Sequence, residues 1–406
     1  MKKKTCFVIF CLTWVFTVLL LATSGHAMAA SKDTRKYSLP LKGSTILQNT
    51  PDRGIGPVIE VVRHDRVAGE SPTTGLPWEG EYLPMLVQIG NSPGTRVVNG
   101  RTVNASGIGK RAPWGVQHAD VVYEGILYRG GDTRFTYLFS DSFAEGQPEK
   151  GVGPVRSARI GDLLLREEWQ AGLVYTGNNR SSGSWAELLR QTGVDKKDVL
   201  FSLLTSRYLD LQYRVQGVMP PDNFNADIIG LRKLIPASSI SQSYPFLFAD
   251  ESPYSPGYEA AHAIRLDWGT KNTITHFQYD EEANVYRRFC GTGTNKARWA
   301  PYLSFATTDG RKEENMRPIL FANLIVQRVE YKYENDNILM PVMEGVGRGN
   351  ADIFIGGRYI PGYWIRNSIA DPTVFCDDQG NEIKLLRGKT FIAHFPPESL
   401  CTFTGE

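Results

Sequence analysis

The segment 151–159 reads Gly151-Val152-Gly153-Pro154-Val155-Arg156-Ser157-Ala158-Arg159 and decides how the first half of the chain is organised. It joins a predicted strand at 133–140 to a predicted helix at 158–169. Its two glycines free the backbone, and its proline stiffens it. A strand, a glycine-rich turn and a helix in this order are typical of a binding turn.

The end of this turn favours an anionic ligand. Ser157 can cap the helix, and Arg156 and Arg159 fall on one face of its first turn. A helix N-terminus with two guanidinium groups beside it suits phosphate, pyrophosphate or carboxylate. A purely structural turn is the alternative, with the arginines paired to one of three acidic residues, Glu124, Asp132 or Asp162. The sequence leaves both interpretations open.

Polar residues on neighbouring elements are expected to converge on the turn. A predicted hairpin over 121–139 carries Glu124, Asp132 and Arg134. A carboxylate beside the arginines could hold a divalent metal on a phosphate, or it could neutralise the arginines. Asn178 follows the next predicted strand and would lie at the same sheet edge, where open α/β sheets bind ligands. The candidate ligand-binding residues are Arg156, Arg159, Ser157, Glu124, Asp132, Arg134 and Asn178.

The N-terminus predicts secretion. Three lysines follow Met1, an uncharged apolar run covers 5–22, and Ala27-Met28-Ala29 supplies a cleavage pattern. We therefore expect a signal peptide at 1–29 and a secreted or periplasmic protein, with an uncleaved membrane anchor as the alternative. Removal of the three signal-peptide lysines leaves 42 of the 45 basic residues against 43 acidic residues, which gives a formal charge of −1. This balance gives no indication of nucleic-acid binding.

The whole pattern predicts a mixed α+β protein in two domains. Strands alternate with helices at 158–169 and 184–191, which predicts an N-terminal α/β domain with a mixed sheet. After a proline-rich loop, short strands separated by Gly, Asn and Asp turns predict a mainly β domain, either a sandwich or barrel-like. The expected organisation is a signal peptide at 1–29, a flexible leader at 30–80, the α/β domain at 81–250 and the mainly β domain at 251–406.

Three cysteines remain after the signal peptide, Cys290, Cys376 and Cys401. An odd number permits at most one internal disulfide, and we favour Cys376 with Cys401, which would tie a late strand to the C-terminal tail. Three buried free thiols are the alternative. Cys290 follows two arginines, a basic context that could lower its pKa, although a structural role is favoured.

Two motifs that resemble functional sites do not meet the requirements of those sites. Gly90-Asn91-Ser92-Pro93-Gly94 matches the G-x-S-x-G serine elbow, but Pro93 lacks the N–H that the oxyanion hole needs. The glycine-rich run 345–350 precedes a β-like segment instead of the helix that a dinucleotide site needs. The histidines show no zinc-ligand spacing, so a metal site could only be assembled from distant positions. No cofactor is expected.

Three segments together resemble the YerB-like bacterial envelope proteins. They are 119–125 (Ala-Asp-Val-Val-Tyr-Glu-Gly), 130–135 (Gly-Gly-Asp-Thr-Arg-Phe) and 153–159, and their order and spacing match as well. The segments 322–326 and 357–366 are similar to that family's second domain. The resemblance covers about residues 83–394. It implies a pair of adjacent domains of unknown function, common on predicted lipoproteins.

The chain departs from the family pattern in two places. The lipid-modified cysteine is absent, which argues against a lipid anchor. Pro221-Asp222-Asn223 stands where relatives tend to have Pro-His-Asn. Asp222 cannot replace a neutral imidazole ligand, so a role for that histidine does not transfer to this chain.

The resemblance implies no established reaction, so two functions compete. The first is a noncatalytic envelope protein that binds a cell-wall component or a wall-associated protein through an arginine-lined polar cleft. The second is a metal-assisted enzyme that acts on a phosphate- or pyrophosphate-bearing envelope precursor, with Glu124 or Asp132 supporting the metal or acting as base. We favour the first, because the sequence contains no recognisable catalytic constellation.

Overall fold

The structure is a computed structural model that describes most of the chain after residue 42. The described residues are 43–47, 56–130, 132–140, 151–178, 182–239, 243–244, 246–254, 257–269, 274–291, 299–306, 315–337 and 339–406. The predicted signal peptide at 1–29 lies outside them. None of the helices in these ranges is long and apolar enough to cross a membrane.

Strands dominate the described part of the chain. Up to residue 250 they are β1 (Thr45–Leu47), β2 (His64–Asp65), β3 (Met85–Ile89), β4 (Pro93–Val98), β5 (Arg101–Ser106), β6 (Val121–Ile126), β7 (Thr133–Phe139), β8 (Gly151–Val152), β9 (Gly172–Tyr175), β10 (Leu200–Ser202), β11 (Gln212–Arg214), β12 (Phe224–Asp227), β13 (Ser243–Tyr244) and β14 (Leu247–Ala249). The α-helices are α1 (Ile160–Trp169), α2 (Gly183–Thr192) and α3 (Ile228–Arg232).

The described residues after 250 add strands and short 3₁₀ turns to these elements. The strands are β15 (Ala263–Asp267), β16 (Ile274–Asp280), β17 (Val285–Cys290), β18 (Ala300–Pro301), β19 (Leu303–Phe305), β20 (Met316–Pro318), β21 (Leu320–Phe321), β22 (Asn323–Arg328), β23 (Tyr331–Tyr333), β24 (Pro341–Met343), β25 (Gly347–Ile355), β26 (Arg358–Arg366), β27 (Val374–Asp377), β28 (Lys384–Leu386), β29 (Thr390–Phe395) and β30 (Leu400–Thr404). The predicted α+β class, with an α/β first part and a mainly β second part, is confirmed.

A ten-stranded sheet joins the two halves of the chain. Its strand order is β10-β9-β3-β7-β6-β29-β22-β25-β26-β27. Strand β29, near the end of the chain, pairs in parallel with β6 on one side and with β22 on the other. The two predicted domains therefore share one sheet, because a late strand of the β half lies beside a hairpin strand of the α/β half.

The two faces of this sheet have different neighbours. Along β7, Phe135, Tyr137 and Phe139 face a core shared with the seven-stranded sheet, which consists of β1, β30, β15, β16, β17, β18 and β21. Leu138 faces the core on the opposite side, where α1 and α2 pack. Because side chains alternate along a strand, Thr136 lies on this helix side as well. The helix side of β7 is therefore partly polar although it is buried.

Part of the predicted flexible leader belongs to the folded core. Residues 71–75 are buried, and Thr73 donates to Asp120 Oδ2 at 3.2 Å. Strand β1 pairs with β30 at the edge of the seven-stranded sheet. The amino-acid composition did not indicate that this segment is ordered, because short hydroxyl side chains make its contacts and it has no apolar periodicity.

The favoured disulfide between Cys376 and Cys401 is wrong. Cys376 lies on β27 in the ten-stranded sheet and Cys401 on β30 in the seven-stranded sheet. Both cysteines are buried and form no disulfide, and the same holds for Cys290. Burial raises the pKa of the Cys290 and Cys376 thiols to about 11, so the basic context does not activate Cys290. The alternative of three buried free thiols is confirmed.

Candidate functional site

The turn at 151–159 reaches α1 as an extended segment between the ends of β3 and β9. The Arg156 N–H donates to the Gln88 carbonyl at 2.9 Å, and the Arg156 carbonyl accepts from the Thr176 N–H at 3.1 Å. These two bonds insert Arg156 between the strands like a short additional strand. Its side chain consequently lies on the same helix-covered face of the sheet as that of Gln88.

Two arginines meet where this segment enters α1. Arg134, on β7, donates from Nη1 to the Ser157 carbonyl at 2.8 Å. Arg159 donates from Nη1 to the same carbonyl at 3.3 Å. One backbone oxygen therefore binds both guanidinium groups. The structure brings these three candidate residues together, but Ser157 contributes its carbonyl and does not cap α1, whose N-cap residue is Arg159.

A buried carboxylate, Asp162, lies beside the two arginines in the first turn of α1. Asp162 Oδ1 accepts from Gln88 Nε2 at 2.6 Å and from Thr136 Oγ1 at 2.6 Å. Its other oxygen accepts from the backbone N–H of Arg159 at 2.5 Å. Burial raises the pKa of Asp162, while these hydrogen bonds and the arginines oppose that rise. Asp162 thus orders the start of the helix as well as the polar wall.

These residues line a narrow cleft of about 50 Å³ whose opposite wall comes from the second half of the chain. That wall consists of Tyr331, Pro341, Met343 and His394. Tyr331 donates from its hydroxyl to the His394 carbonyl at 3.0 Å, which fixes the wall to β29. The volume admits a few water molecules or one compact group, so a larger ligand would extend over the rim.

The cleft has a positive electrostatic bias. Burial lowers the pKa of Arg134 well below its usual value, and the charges of Arg159 and Arg156 lower it further. Arg134 Nε, Arg159 Nε and Gln88 Oε1 are buried and have no hydrogen-bond partner among the described residues. Buried polar atoms are normally paired, so these three atoms leave donor and acceptor capacity unused beside the cleft.

Arg156 lies next to the cleft but has a carboxylate partner of its own. Its Nη1 pairs with Asp222 Oδ1, which also accepts from Ser92 Oγ at 2.9 Å. Asp222 Oδ2 lies 3.5 Å from Nη1 of Arg111. The structural alternative therefore applies to Arg156, although its partner is none of the three acidic residues suggested by sequence proximity.

Glu124 does not join the cleft. It is fully buried on the opposite face of β6, where it pairs with Arg288 Nη2 at 2.9 Å. It also accepts from Thr133 Oγ1 at 2.5 Å. The expected convergence of Glu124 with the arginines is therefore wrong, because alternation along β6 directs it toward the seven-stranded sheet.

The remaining two candidates lie at the edges of the region. Asp132 closes the β6–β7 hairpin, where its carbonyl accepts from the Leu127 N–H at 3.0 Å, and it is not among the cleft-lining residues. Asn178 follows β9 and is one residue beyond Gly177, whose carbonyl accepts from the Ala158 N–H at 2.7 Å. Asn178 Oδ1 is buried and unpaired among the described residues. Asn178 is therefore adjacent to the arginine turn but does not line the cleft.

Several residues of the cleft were not predicted from the sequence. Thr136 lies on the strand predicted at 133–140 and Gln88 lies on β3, and the available signal was the polarity of each side chain within an apolar strand. Tyr331 and His394 are more than 170 residues distant from Arg159, and no local pattern connects them. Tertiary structure alone brings them to the cleft.

The motifs set aside from the sequence have structural roles. Ser92 donates to Asp222, and strand β4 follows it in place of a helix. Gly347 begins β25, so the glycine-rich run leads into a strand. Within the described ranges, no group of three or more His, Cys, Asp or Glu side chains is arranged to hold a metal ion.

Two family models match the chain and together cover more than half of it. The N-terminal domain of the protein of unknown function DUF3048 matches residues 102–207, and the C-terminal domain of DUF3048 matches residues 264–392. The chain belongs to the DUF3048 family. In this DUF3048 protein both matched segments supply the cleft, for example Asp162 from the first and Tyr331 from the second. None of the curated proteins compared with the chain matches it.

The resemblance to YerB-like proteins is confirmed by a solved structure. The crystal structure of the YerB protein from Bacillus subtilis is similar with a TM-score of 0.56 and 22% sequence identity. The similarity covers 80% of this DUF3048 chain and 96% of the YerB chain. At this level of identity the likeness establishes a shared fold.

The buried histidine of the cleft predicts a pH-dependent stability. Burial, assisted by the charge of Arg366, lowers the pKa of His394 to about 3. An unfolded histidine titrates near pH ~6.5, so below that pH the unfolded chain binds a proton that the folded chain does not. Stability therefore falls as the pH drops from about 6.5 to about 3, with a contribution from His394 of about 2 kcal/mol between pH 7 and pH 5.

Urea denaturation of the wild type and His394→Asn at pH 7 and pH 5 measures this contribution. Between pH 7 and pH 5, the free energy of unfolding should fall by about 2 kcal/mol less in the variant than in the wild type. Equal losses in the two proteins would show that His394 does not carry the effect.

Proposed function

We propose that this protein is a noncatalytic, secreted binding protein of the cell envelope. Its cleft receives a compact anionic group of a cell-wall component or of a wall-associated protein. The observation that carries the proposal is the meeting of Arg134 and Arg159 on the Ser157 carbonyl, at a cleft whose buried wall keeps polar atoms unpaired. Secretion is inferred from the signal-like sequence at 1–29.

The geometry favours an anion over a neutral ligand. Two guanidinium groups share one backbone oxygen, and each keeps a buried Nε without a partner. Guanidinium groups bind carboxylate and phosphate through charge-assisted hydrogen bonds, which are the stronger class. An anion at this position would also relieve the repulsion between Arg134 and Arg159.

Binding is favoured over catalysis because the carboxyl and imidazole groups considered for proton transfer are poorly suited to that role. Asp162 accepts three hydrogen bonds that order the start of α1. The depressed pKa of His394, about 3, keeps its imidazole neutral and a poor proton acceptor at neutral pH. Glu124, one of the two residues proposed as base in the enzyme alternative, is paired with Arg288 on the other face of the sheet.

Isothermal titration with inorganic pyrophosphate tests the cleft. The wild type should bind, and Arg159→Gln should bind about 10- to 100-fold more weakly, because one charge-assisted hydrogen bond is worth about 1.5–3 kcal/mol. The variant keeps the backbone N–H that donates to Asp162, so α1 should still form. A melting temperature close to that of the wild type would show that the variant is folded.

A matched variant controls for the loss of one charge. Arg190→Gln removes an arginine from an exposed position on α2, where it pairs with Glu187, and should bind pyrophosphate like the wild type. Equal binding by Arg159→Gln and the wild type, or no binding by the wild type, would contradict the assignment of the cleft. Cosedimentation with purified cell walls tests the envelope part separately, and a wall-bound fraction that pyrophosphate reduces is the expected result.

A further inference from the structure

We infer that the arginines of the cleft continue along the surface as a row that binds a linear polyanion with repeating phosphate groups. This inference rests on the proposed function and specifies its ligand. The arginine row consists of Arg134, Arg159, Arg156, Arg111 and Arg96. Its first two members line the cleft, and its last two line a separate groove on the β4–β5 hairpin.

The members of the row are contiguous. The charge of Arg156 lowers the pKa of both Arg134 and Arg159, which places the three guanidinium groups in one electrostatic neighbourhood. Arg156 pairs with Asp222, and the other oxygen of Asp222 lies 3.5 Å from Arg111 Nη1. Asp222 thus bridges the cleft end of the row to the hairpin end.

The hairpin end has the features of a binding groove. Arg96 and Arg111 line a groove of about 570 Å³ together with Thr95, Thr102 and Asn104. The side chain of Arg111 is 46% exposed, so its guanidinium can reach a ligand. Arg96 Nη1 is buried and has no partner among the described residues, which leaves a hydrogen-bond donor unused.

A glycine on β4 brings the segment that carries Arg111 onto the hairpin. A Cβ at Gly94 would overlap the carbonyl oxygen of Ile108 and would lie 3.5 Å from the Cβ of Arg111. Only a residue without a side chain permits this approach. The position of Arg111 beside the hairpin is therefore built into the fold.

The charge of the arginine row and its extension over both the cleft and the hairpin groove point to a polymer. The ion pairs and electrostatic contacts described for the row involve two carboxylates, Asp162 and Asp222, against five arginines. A single compact anion in the cleft would leave the hairpin groove unused. A chain with several phosphates can occupy both, and threonine hydroxyls and guanidinium forks are suitable donors to phosphate oxygens.

Titration with long-chain polyphosphate, inorganic pyrophosphate and poly-L-glutamate tests the inference. Polyphosphate should bind about 100-fold more tightly than pyrophosphate, because a second site adds effective concentration. Arg96→Gln/Arg111→Gln should weaken polyphosphate binding about 10-fold and reduce the slope of log affinity against log salt by about 1 to 2, while pyrophosphate binding stays within about twofold. The control is Arg190→Gln/Arg207→Gln, which removes two exposed arginines outside the row.

The possible results separate this inference from the proposed function. Suppose that pyrophosphate binds the wild type and that Arg159→Gln weakens this binding. If polyphosphate then binds no more tightly than pyrophosphate, or binds Arg96→Gln/Arg111→Gln as tightly as the wild type, the cleft assignment stands and the arginine row is refuted. If poly-L-glutamate binds as tightly as polyphosphate, the assignment to phosphate is overturned. If none of the three anions binds, both proposals fail. A melting temperature near that of the wild type shows that the double variant is folded, and the single variant Arg111→Gln provides a second test.

Discussion

Replacing Glu124 with alanine should lower the free energy of unfolding by about 3–5 kcal/mol, because the substitution leaves a buried guanidinium without its carboxylate. Glu124 is fully buried, and Arg288 is 3% exposed. Arg288 also lies against the rings of Phe135 and Tyr302, 4.9 and 4.5 Å from their centres, so water cannot replace the lost partner. The pair connects β6 of the ten-stranded sheet with β17 of the seven-stranded sheet.

Urea denaturation measures the effect, and two further variants define its cause. Glu187→Ala removes a carboxylate from an exposed pair with Arg190 and should leave the stability close to that of the wild type. Glu124→Leu/Arg288→Met removes both charges and should be more stable than Glu124→Ala. A loss below about 1 kcal/mol in Glu124→Ala would contradict the described pairing.

A second large effect is expected at Gly115, which supports the start of the arginine turn. Gly115 has a φ of +71°, and an alanine Cβ there would overlap the Gly151 carbonyl oxygen. The left-handed conformation costs a non-glycine residue about 1–2 kcal/mol, and overpacking adds about 1–3 kcal/mol. Gly115→Ala should therefore destabilise the protein by about 2–5 kcal/mol and disturb the segment that leads to Arg156.

The chain provides a matched control for this substitution. Gly193 ends α2 with a φ of +59° and has no atom within 4 Å of an added Cβ. Gly193→Ala should thus show only the conformational cost, about 1–2 kcal/mol. Equal losses in the two variants, measured by urea denaturation, would mean that the contact with Gly151 has no energetic role.

Strand β7 and helix α2 were predictable because the pattern that indicates each of them lies within its own residues. The strand predicted at 133–140 corresponds to β7 (Thr133–Phe139), and the helix predicted at 184–191 corresponds to α2 (Gly183–Thr192), which ends at a left-handed glycine. The polar hairpin β4–β5 was missed, because its exposed positions show no apolar alternation. The insertion of β29 beside β6 depends on distant pairing that no local pattern encodes.

The face on which each candidate lies was not predictable. β6 is buried on both sides, so its apolar pattern does not distinguish the helix side, where Tyr123 lies, from the side of Glu124. Ser157 and Arg159 were predicted together because they lie in a single turn, and Arg134 was added because the neighbouring hairpin carries it. The partner of Arg156 was not found, since Asp222 is 66 residues away along the chain.

The most direct test of the central claim is a crystal structure of the protein grown with inorganic pyrophosphate. We expect density for the anion in the cleft, in hydrogen-bond contact with the guanidinium groups of Arg134 and Arg159 and near Gln88. A pyrophosphate bound elsewhere, with an empty cleft, would contradict the assignment of this cleft as the anion site.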